Sequence, residues 1–249
     1  MRPSLDEIAR QSFDVTVIGG GINGAGVAAE AAQRGYRTLL IERRDFAAGT
    51  TSRATRLIHG GLRYLEHGEF GLVYESLGER ETLVREAPHL VRPLRLLVPV
   101  YRDDRRPPWM VRAGLVMYDA LSFRKSLPRH RAMPPAALSA YEPGLSRDGL
   151  RAAYTFYDAQ VEFPERLVIE SLRAFIDAGG VAMNHASCER IVSPGGVLRG
   201  LVVRDELSGE TAQVDTRVAV NAAGPWVDQV LGGSDAERHE RLIGGTKGS

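Results

Sequence analysis

The spacing of apolar and polar positions changes period twice between residues 13 and 42. Phe13, Val15, Val17 and Ile18 form a short run rich in β-branched residues, interrupted only by Asp14 and Thr16, and this predicts a buried parallel strand. Residues 25–32 are mostly Ala, Gly and Val and predict a helix that can pack closely, ended by Gly35. Residues 37–41 predict a second strand, with Glu42 directly after it. Helical spacing resumes at Leu65, Leu72, Val73, Leu77, Leu83 and Val84 and stops at Pro88; its polar face, with Glu75, Glu79, Arg80, Glu81 and Arg85, reads as solvated charge. Further along, a strand is expected over 94–101, an apolar helix over 109–123 opened by Pro107-Pro108, a strand over 154–161 and a helix over 165–178. Residues 181–203 read as a pair of strands turning at Ser193-Pro194-Gly195-Gly196. Residues 217–224 read as another buried strand ending in small residues, Pro225 as the start of a helix, and 241–243 as the start of a strand.

The first of these segments carries chemistry. Between its two strands lies G-x-G-x-x-G over residues 19–24. Gly19 suits the tight turn, Gly21 admits a phosphate close to the backbone, and Gly24 lets the helix press on the sheet. The helix N-terminus, with Ile22 and Asn23, then points at an anion. Glu42 follows Gly24 by 18 residues, placed to accept hydrogen bonds from ribose hydroxyls. Strand, turn, helix, strand and acid together predict a dinucleotide site. A carboxylate at position 42 disfavours a 2′-phosphate despite the adjacent Arg43 and Arg44, so NADP recedes and NAD and FAD both stay open on this segment alone.

Composition narrows the class only a little. Of 249 residues, 43% are hydrophobic and 25% charged, as in ordinary globular domains, and a net charge of +1 points to neither nucleic acid nor an acidic partner. Cys188 is the only cysteine, which rules out an internal disulfide and fits a reducing compartment. The first twelve residues lack an apolar stretch of the signal-peptide kind, and no segment approaches a membrane span. The expected location is the cytoplasm, free or peripheral on a membrane. Residues 102–131 stand apart, with eight Lys/Arg against three Asp. Their apolar centre reads either as a core-facing helix rimmed by arginines or as a helix lying on an anionic surface.

Three segments together resemble the FAD-dependent glycerol-3-phosphate dehydrogenases, within the flavoproteins that include the D-amino-acid oxidases. They are GGGINGAG at 19–26, TTSRATRLIHGGLRYLE at 50–66 and NAAGPWVD at 221–228. Pro107-Pro108-Trp109-Met110, Met117-Tyr118-Asp119 and Lys247-Gly248-Ser249 fit the same family. In the middle segment Thr50, Thr51 and Ser52 supply donors beside a pyrophosphate, and His59-Gly60-Gly61 lets backbone approach a flat ring. The resemblance implies that His59, Gly60, Gly61 and Leu62 line the isoalloxazine and that Arg63 and Tyr64 meet the glycerol phosphate. Arg53, Arg56 and Arg63 have a competing reading as surface partners of Glu66, Glu69 and Glu75. By the same resemblance Ala223 and Gly224 bring a second strand to FAD, and Cys188 sits where backbone meets adenine.

The implied fold is α/β, a Rossmann-like FAD-binding fold with a discontinuous FAD domain (12–90 and 156–235), a cap segment at 91–155 and the beginning of a substrate domain at 236–249. The implied reaction oxidises sn-glycerol 3-phosphate to dihydroxyacetone phosphate by hydride transfer to the flavin, with electrons passed to a membrane quinone. Residues 161–167 depart from the family, replacing its usual valine, paired aspartates, alanine, arginine and leucine. A histidine is expected just after Lys247-Gly248-Ser249, so the chain reads as an N-terminal portion whose catalytic base lies beyond Ser249. A related flavin oxidase that uses oxygen, a flavin-binding module without turnover and, more distantly, an NAD-dependent dehydrogenase are the alternatives.

Overall fold

A computed structural model describes residues 2–122, 126–233 and 241–243, the side chains of 135 and 136 excepted. In chain order the elements are α1 (Leu5–Ala9), β1 (Ser12–Ile18), α2 (Ile22–Gln33), β2 (Thr38–Ile41), β3 (Leu57–Ile58), α3 (Phe70–Glu86), β4 (Val91–Tyr101), α4 (Pro108–Leu121), β5 (Arg131–Ala132), α5 (Pro135–Tyr141), β6 (Leu150–Val161), α6 (Pro164–Asp177), β7 (Val181–Met183), β8 (Ala186–Val192), β9 (Gly200–Asp205), β10 (Thr211–Asn221) and α7 (Val227–Gly232). They divide into two compact units, one formed by Met1–Ala54 with Phe163–Ser249, the other by Thr55–Glu162. The first division lies inside the expected 12–90 segment, because residues after Ala54 pair with β6 rather than with β1 or β2.

The first unit is built on a six-stranded sheet in the order β7-β2-β1-β10-β9-β8. β1 lies between β2 and β10, parallel to both, and all four residues of β2 are buried, as in a strand covered on both faces. Val17 and Leu40 look to one side, where Ala25, Ala28, Ala29 and Ala32 of α2 meet Val168, Leu172 and Phe175 of α6. Ile18, Leu39 and Ile41 look to the other, against Leu5 and Ile8 of α1 and Leu201, Val203 and Val214 of the β8–β9–β10 meander. The α2 alanines carry only a methyl group, so the helix axis comes close to the sheet.

α1 was not expected, although Ser4-x-x-Glu7 announces it. The Glu7 N–H donates to Ser4 Oγ at 3.2 Å and the Ser4 N–H to Glu7 Oε2 at 2.7 Å, a reciprocal cap. Arg2, just before it, donates to the Asn184 carbonyl at 2.9 Å and to Asp205 Oδ1 at 2.8 Å. The Arg2 hydrogen bond, aided by the Leu207 N–H, holds the Asp205 carboxyl below its usual range. A depressed folded-state value stabilises fully above the ordinary carboxylate value and is lost as pH falls through the folded one. Asp205→Asn should therefore cost about 1 kcal/mol at neutral pH, with the gap to wild type closing in acid, as urea titrations at several pH values would show.

Residues 181–203 form three strands, not two. β7 pairs in parallel with β2, whereas β8 and β9 make the hairpin through 193–196. β10 is longer than expected and is not buried throughout: its pairing with β9 stops at Asp215, and Val218 beyond that point is half exposed. The expected strand at 241–243 is absent. The N–H groups of Leu242 and Ile243 instead donate to the Asp228 carboxylate, at 3.0 Å each. Residues 123–125 of the expected 109–123 helix and its basic flank, and the Lys247-Gly248-Ser249 turn, lie outside the described residues.

The second unit holds a four-stranded antiparallel sheet with β6 at its centre, β4 along one edge and β3 and β5 on the other. Pro93 and Pro99 are tolerated in β4 because it is an edge strand. The helix expected from Leu65 starts at Phe70 instead. Leu62–His67 is a 3-10 turn stopped by Gly68 at φ +74°, a left-handed conformation that ends one helix before the next begins. Val73 and Leu77 of α3 and Leu115 and Tyr118 of α4 pack on Val100, Tyr154 and Phe156 of the sheet. Arg80 is a correction of consequence: read as solvated, it is fully buried, because the 73, 77, 80 spacing puts it on the same stripe as Val73 and Leu77.

Candidate cofactor site

The first unit contains a cavity of about 720 Å³ at the C-terminal ends of β1 and β2, where ligands of open α/β sheets bind. Its walls include Gly19, Gly21, Ile22, Asn23, Glu42, Arg43, Thr50, Thr51, Cys188, Ala223 and Gly224. Gly24 and Ser52 are absent from the lining.

The glycine turn is fixed from several directions. Gly19 sits at φ +110°, and a Cβ there would stand 2.6 Å from the Ala222 carbonyl oxygen. A Cβ on Gly24 would collide with the Gly19 carbonyl, so the start of α2 can lie against the turn only as glycine. Gly20, given no role by the sequence motif, is crowded too, though by side chains: its Cβ would come within 2.5 Å of the Phe46 ring and 2.9 Å of Glu42 Cβ. Gly21 is the N-cap of α2, and Ile22 and Asn23 of its first turn line the cavity, so the positive end of the helix faces it. The Ile22 N–H donates to Thr51 Oγ1 at 3.1 Å, which ties the 3-10 turn Thr50–Arg53 to the helix end.

Glu42, at the end of β2, braces the same turn. Its Oε2 accepts from the Gly20 N–H at 2.7 Å and its Oε1 from the Arg44 N–H at 2.8 Å. Each oxygen keeps a further lone pair for a hydroxyl in the cavity. Ser52 turns away, its hydroxyl donating to the Ala48 and Gly49 carbonyls at 3.3 and 3.0 Å. Cys188, on β8, has its thiol pushed up to about 11, chiefly by burial, so it is protonated and unreactive at neutral pH. Opposite the glycine turn, Asn221 shapes the small-residue turn after β10. Its Oδ1 accepts from the Ala223 N–H at 3.2 Å and its amide donates to the Val227 carbonyl at 3.0 Å. Trp226, whose ring a Gly49 Cβ would approach to 3.3 Å, also lines the cavity, as do Arg204 and Glu189, joined at 3.2 Å. Trp226 lies within the NAAGPWVD segment, whereas no local motif reveals Arg204 and Glu189, whose positions follow from the β8–β9 pairing.

His59, Gly60, Gly61, Leu62, Arg63 and Tyr64 belong to the second unit. The Gly60 N–H donates to the Tyr118 hydroxyl at 2.7 Å, and the Gly61 N–H to His59 Nδ1 at 2.9 Å. An accepting Nδ1 leaves the neutral His59 ring with its proton on Nε2. Gly61 is left-handed at φ +69° and covered by the Tyr64 ring. Leu62 opens the 3-10 turn that carries Arg63 and Tyr64, both exposed. Among the described residues the Arg63 guanidinium has no hydrogen-bond or ion-pair partner. Glu66 is taken instead by Arg106, at 2.8 Å. Arg63 acts on Glu66 through its charge alone, without a direct hydrogen bond.

The cavity has the features a dinucleotide needs: turn positions that exclude a Cβ, the N-terminal end of a helix, and a carboxylate at the end of β2. Comparison with known proteins agrees. A glycerol-3-phosphate dehydrogenase of Synechocystis sp. is 45% identical over 255 residues, covering 99% of this chain and 46% of that protein. The aerobic glycerol-3-phosphate dehydrogenase of Escherichia coli (strain K12) is 41% identical over 220 residues, 88% of this chain and 42% of its own length. The chain thus spans less than half the length of these relatives. The crystal structure of the glycerol-3-phosphate dehydrogenase from Bacillus halodurans complexed with FAD superposes with a TM-score of 0.70 at 28% identity, over 92% of this chain and 37% of that one. L-proline dehydrogenase from P. horikoshii, at 17% identity and a TM-score of 0.69, shares the fold alone. The family described as FAD dependent oxidoreductase matches residues 14–249, and the chain belongs to that family.

Proposed function

We propose that this chain is the FAD-holding portion of an enzyme that oxidises sn-glycerol 3-phosphate to dihydroxyacetone phosphate. The observation that carries the reading is the 45% identity with a glycerol-3-phosphate dehydrogenase across 99% of the chain. FAD, when bound, supplies the two-electron acceptor that oxidation of the C2 hydroxyl to a ketone requires. The residues do the rest. Gly19, Gly21, Ile22, Asn23 and Gly24 admit the pyrophosphate to the end of α2, with Thr50 and Thr51 as further donors; Ser52, whose hydroxyl and N–H are both spent on neighbouring carbonyls, braces their turn instead. Glu42 and Arg43 take the adenosine ribose, the backbone at Cys188 takes adenine, and Ala223 and Gly224 bring backbone alongside the cofactor. His59, Gly60, Gly61 and Leu62 line the isoalloxazine. Arg63 pairs with the substrate phosphate and Tyr64 stands beside it, so that binding energy from the phosphate is spent on aligning C2. On this reading the FAD domain comprises 12–90 and 156–235, with 91–155 on the substrate side and a substrate domain starting at 236.

We also propose that the acceptor is a membrane quinone, reached by peripheral contact on the cytoplasmic face. On α4, Leu115 and Tyr118 are buried, while Trp109, Met110, Val116 and Met117 are exposed beside the exposed Arg105 and Arg112. An outward apolar face with cationic flanks suits an anionic bilayer surface. Among the described residues no helix is long and apolar enough to cross a membrane. Reversing the charge at Arg105, Arg106 and Arg112 in the full-length protein should weaken sedimentation with anionic liposomes about tenfold or more, at about 1 kcal/mol for each basic residue removed. Salt-insensitive binding, or none by wild type, would count against the contact.

The enzymatic reading is tested by titrating full-length protein with FAD and adding sn-glycerol 3-phosphate without oxygen. Stoichiometric FAD, bleaching of its visible band and reoxidation by a short-chain quinone are expected. Peroxide formation with indifference to quinone would reassign the protein to the oxidases, and FAD that stays oxidised would leave a flavin-binding module.

A further inference from the structure

Arg80, Asp158 and Tyr118 form a buried polar chain that the proposed chemistry leaves unused. Arg80 of α3 is fully buried, Tyr118 of α4 is 1% exposed and Asp158 of β6 is 2% exposed. Asp158 Oδ1 accepts from Arg80 Nη1 at 2.6 Å and from the Tyr118 hydroxyl at 2.7 Å. That hydroxyl in turn accepts the Gly60 N–H at 2.7 Å. The Tyr118 ring stands edge-on to Phe156, centroids 5.8 Å apart, so the phenol has little freedom to swing. Three helix and strand elements of the second unit thus converge on one peptide N–H.

As pure stabilisation this arrangement is poor. Among the described residues Arg80 Nε and Nη2 have no hydrogen-bond partner. A buried ion pair is often no better than apolar residues of the same volume, whereas orphaned donors are costly. What the chain of groups does achieve is to fix a backbone. The peptide between His59 and Gly60 is planar and trans, so holding its N–H on Tyr118 turns the His59 carbonyl the opposite way. The next peptide is fixed as well, its Gly61 N–H returned to His59 Nδ1. The N–H groups of Gly60 and Gly61 are both consumed internally, and the Gly61 carbonyl accepts from the Tyr64 N–H at 2.8 Å, so of these two peptides it is the His59 and Gly60 carbonyls that are left to act. Gly60 has no room for another residue: a Cβ there would meet Leu77 at 2.5 Å and the Tyr118 oxygen at 2.9 Å. Burial, ahead of the Asp158 charge, pushes the Tyr118 phenol far above its ordinary range, so it remains a donor to Asp158 at any working pH.

We propose that Tyr118, held by Asp158 and Arg80, is a positioning residue that locks the His59–Gly60 peptide so that an acceptor, not a donor, faces the isoalloxazine. The inference rests on the reading of residues 59–62 as the lining of that ring. Its test is Tyr118→Phe in the full-length, FAD-loaded protein, a change that keeps the ring and its packing and deletes the hydroxyl. FAD affinity should stay within about threefold of wild type, since a spare hydrogen bond to the lining is not made or lost. The visible absorption and circular dichroism bands of the bound flavin, and its midpoint potential in a dithionite titration, should shift. Reduction by saturating sn-glycerol 3-phosphate should slow about tenfold or more while KM moves less than about threefold.

If Tyr118→Phe loses FAD, Asp158→Asn serves in its place, because it keeps an acceptor at the same oxygen and should shift the spectrum less but in the same direction. Variants that melt earlier yet carry a flavin with the wild-type spectrum and potential would overturn the proposal, leaving only a structural role. A wild-type holoprotein that glycerol 3-phosphate does not reduce, but whose flavin spectrum responds to Tyr118→Phe, would sink the substrate reading and support the relay. A wild-type protein that takes up no FAD would sink both.

Discussion

Gly24→Ala is expected to weaken FAD binding by about 100-fold or more, a large effect for one added methyl group. The added Cβ would collide with the Gly19 carbonyl, a backbone atom that cannot rotate away, so the first turn of α2 must retreat from the glycine turn. Overpacking of this kind costs about 1–3 kcal/mol. Retreat also withdraws the helix N–H groups from the phosphate they are placed to meet, which adds an electrostatic loss to the steric one. The same helix supplies its own control. Gly26, two residues on, is exposed and has nothing within 4 Å of a Cβ, so Gly26→Ala should leave FAD affinity unchanged and raise stability by about 0.5–1 kcal/mol through helix propensity. Fluorescence titration of FAD into both variants, with melting curves for each, separates the two outcomes. Equal FAD affinity in Gly24→Ala and Gly26→Ala would falsify the cradle.

This contrast also marks what the sequence can and cannot express. β1, α2, β2 and Glu42 were legible because the whole unit is local: 30 residues hold both strand patterns, the turn and the acid, and each constrains the next. The bracing of that unit was not legible. That Glu42 also holds the Gly20 N–H, and that the Phe46 ring crowds Gly20, depend on side chains meeting across a loop. Pairing of β7 with β2 joins residues more than 130 positions apart, and the short run 181–183 looked like half of a hairpin for want of any local sign to the contrary. The error at Arg80 is of a different kind. Its spacing from Val73 and Leu77 already placed it on the apolar stripe, and a charge on such a stripe implies a buried counter-charge. Asp158, the answer, sits in the strand expected over 154–161, where nothing local pairs it with Arg80. Periodicity was sufficient to locate Arg80; residue type alone misdirected it.

Arg63→Ala is expected to lower kcat/KM for sn-glycerol 3-phosphate by about 100- to 1000-fold, equivalent to about 3–4 kcal/mol, while FAD content stays at wild-type level. Three observations combine here. The guanidinium is exposed and makes no hydrogen bond or salt bridge among the described residues, while Glu66, the carboxylate whose charge it feels, is held by Arg106. The backbone beneath it is set by the left-handed Gly61 and by the Tyr64 N–H donating to the Gly61 carbonyl at 2.8 Å, so the side chain leaves a defined turn. A phosphate dianion is the partner best matched to a planar, permanently charged fork. If Arg63 binds phosphate equally in ground and transition states, the loss falls on KM; if remote binding aligns C2, kcat falls too. Arg63→Lys should recover the charge but not the bidentate geometry, and so land between the two. Unphosphorylated glycerol closes the argument as a second half of a double-mutant cycle. It lacks the group that Arg63 would hold, so wild type and Arg63→Ala should oxidise it at the same slow rate. A variant equally impaired on glycerol and on glycerol 3-phosphate would mean that Arg63 supports the 3-10 turn rather than the substrate.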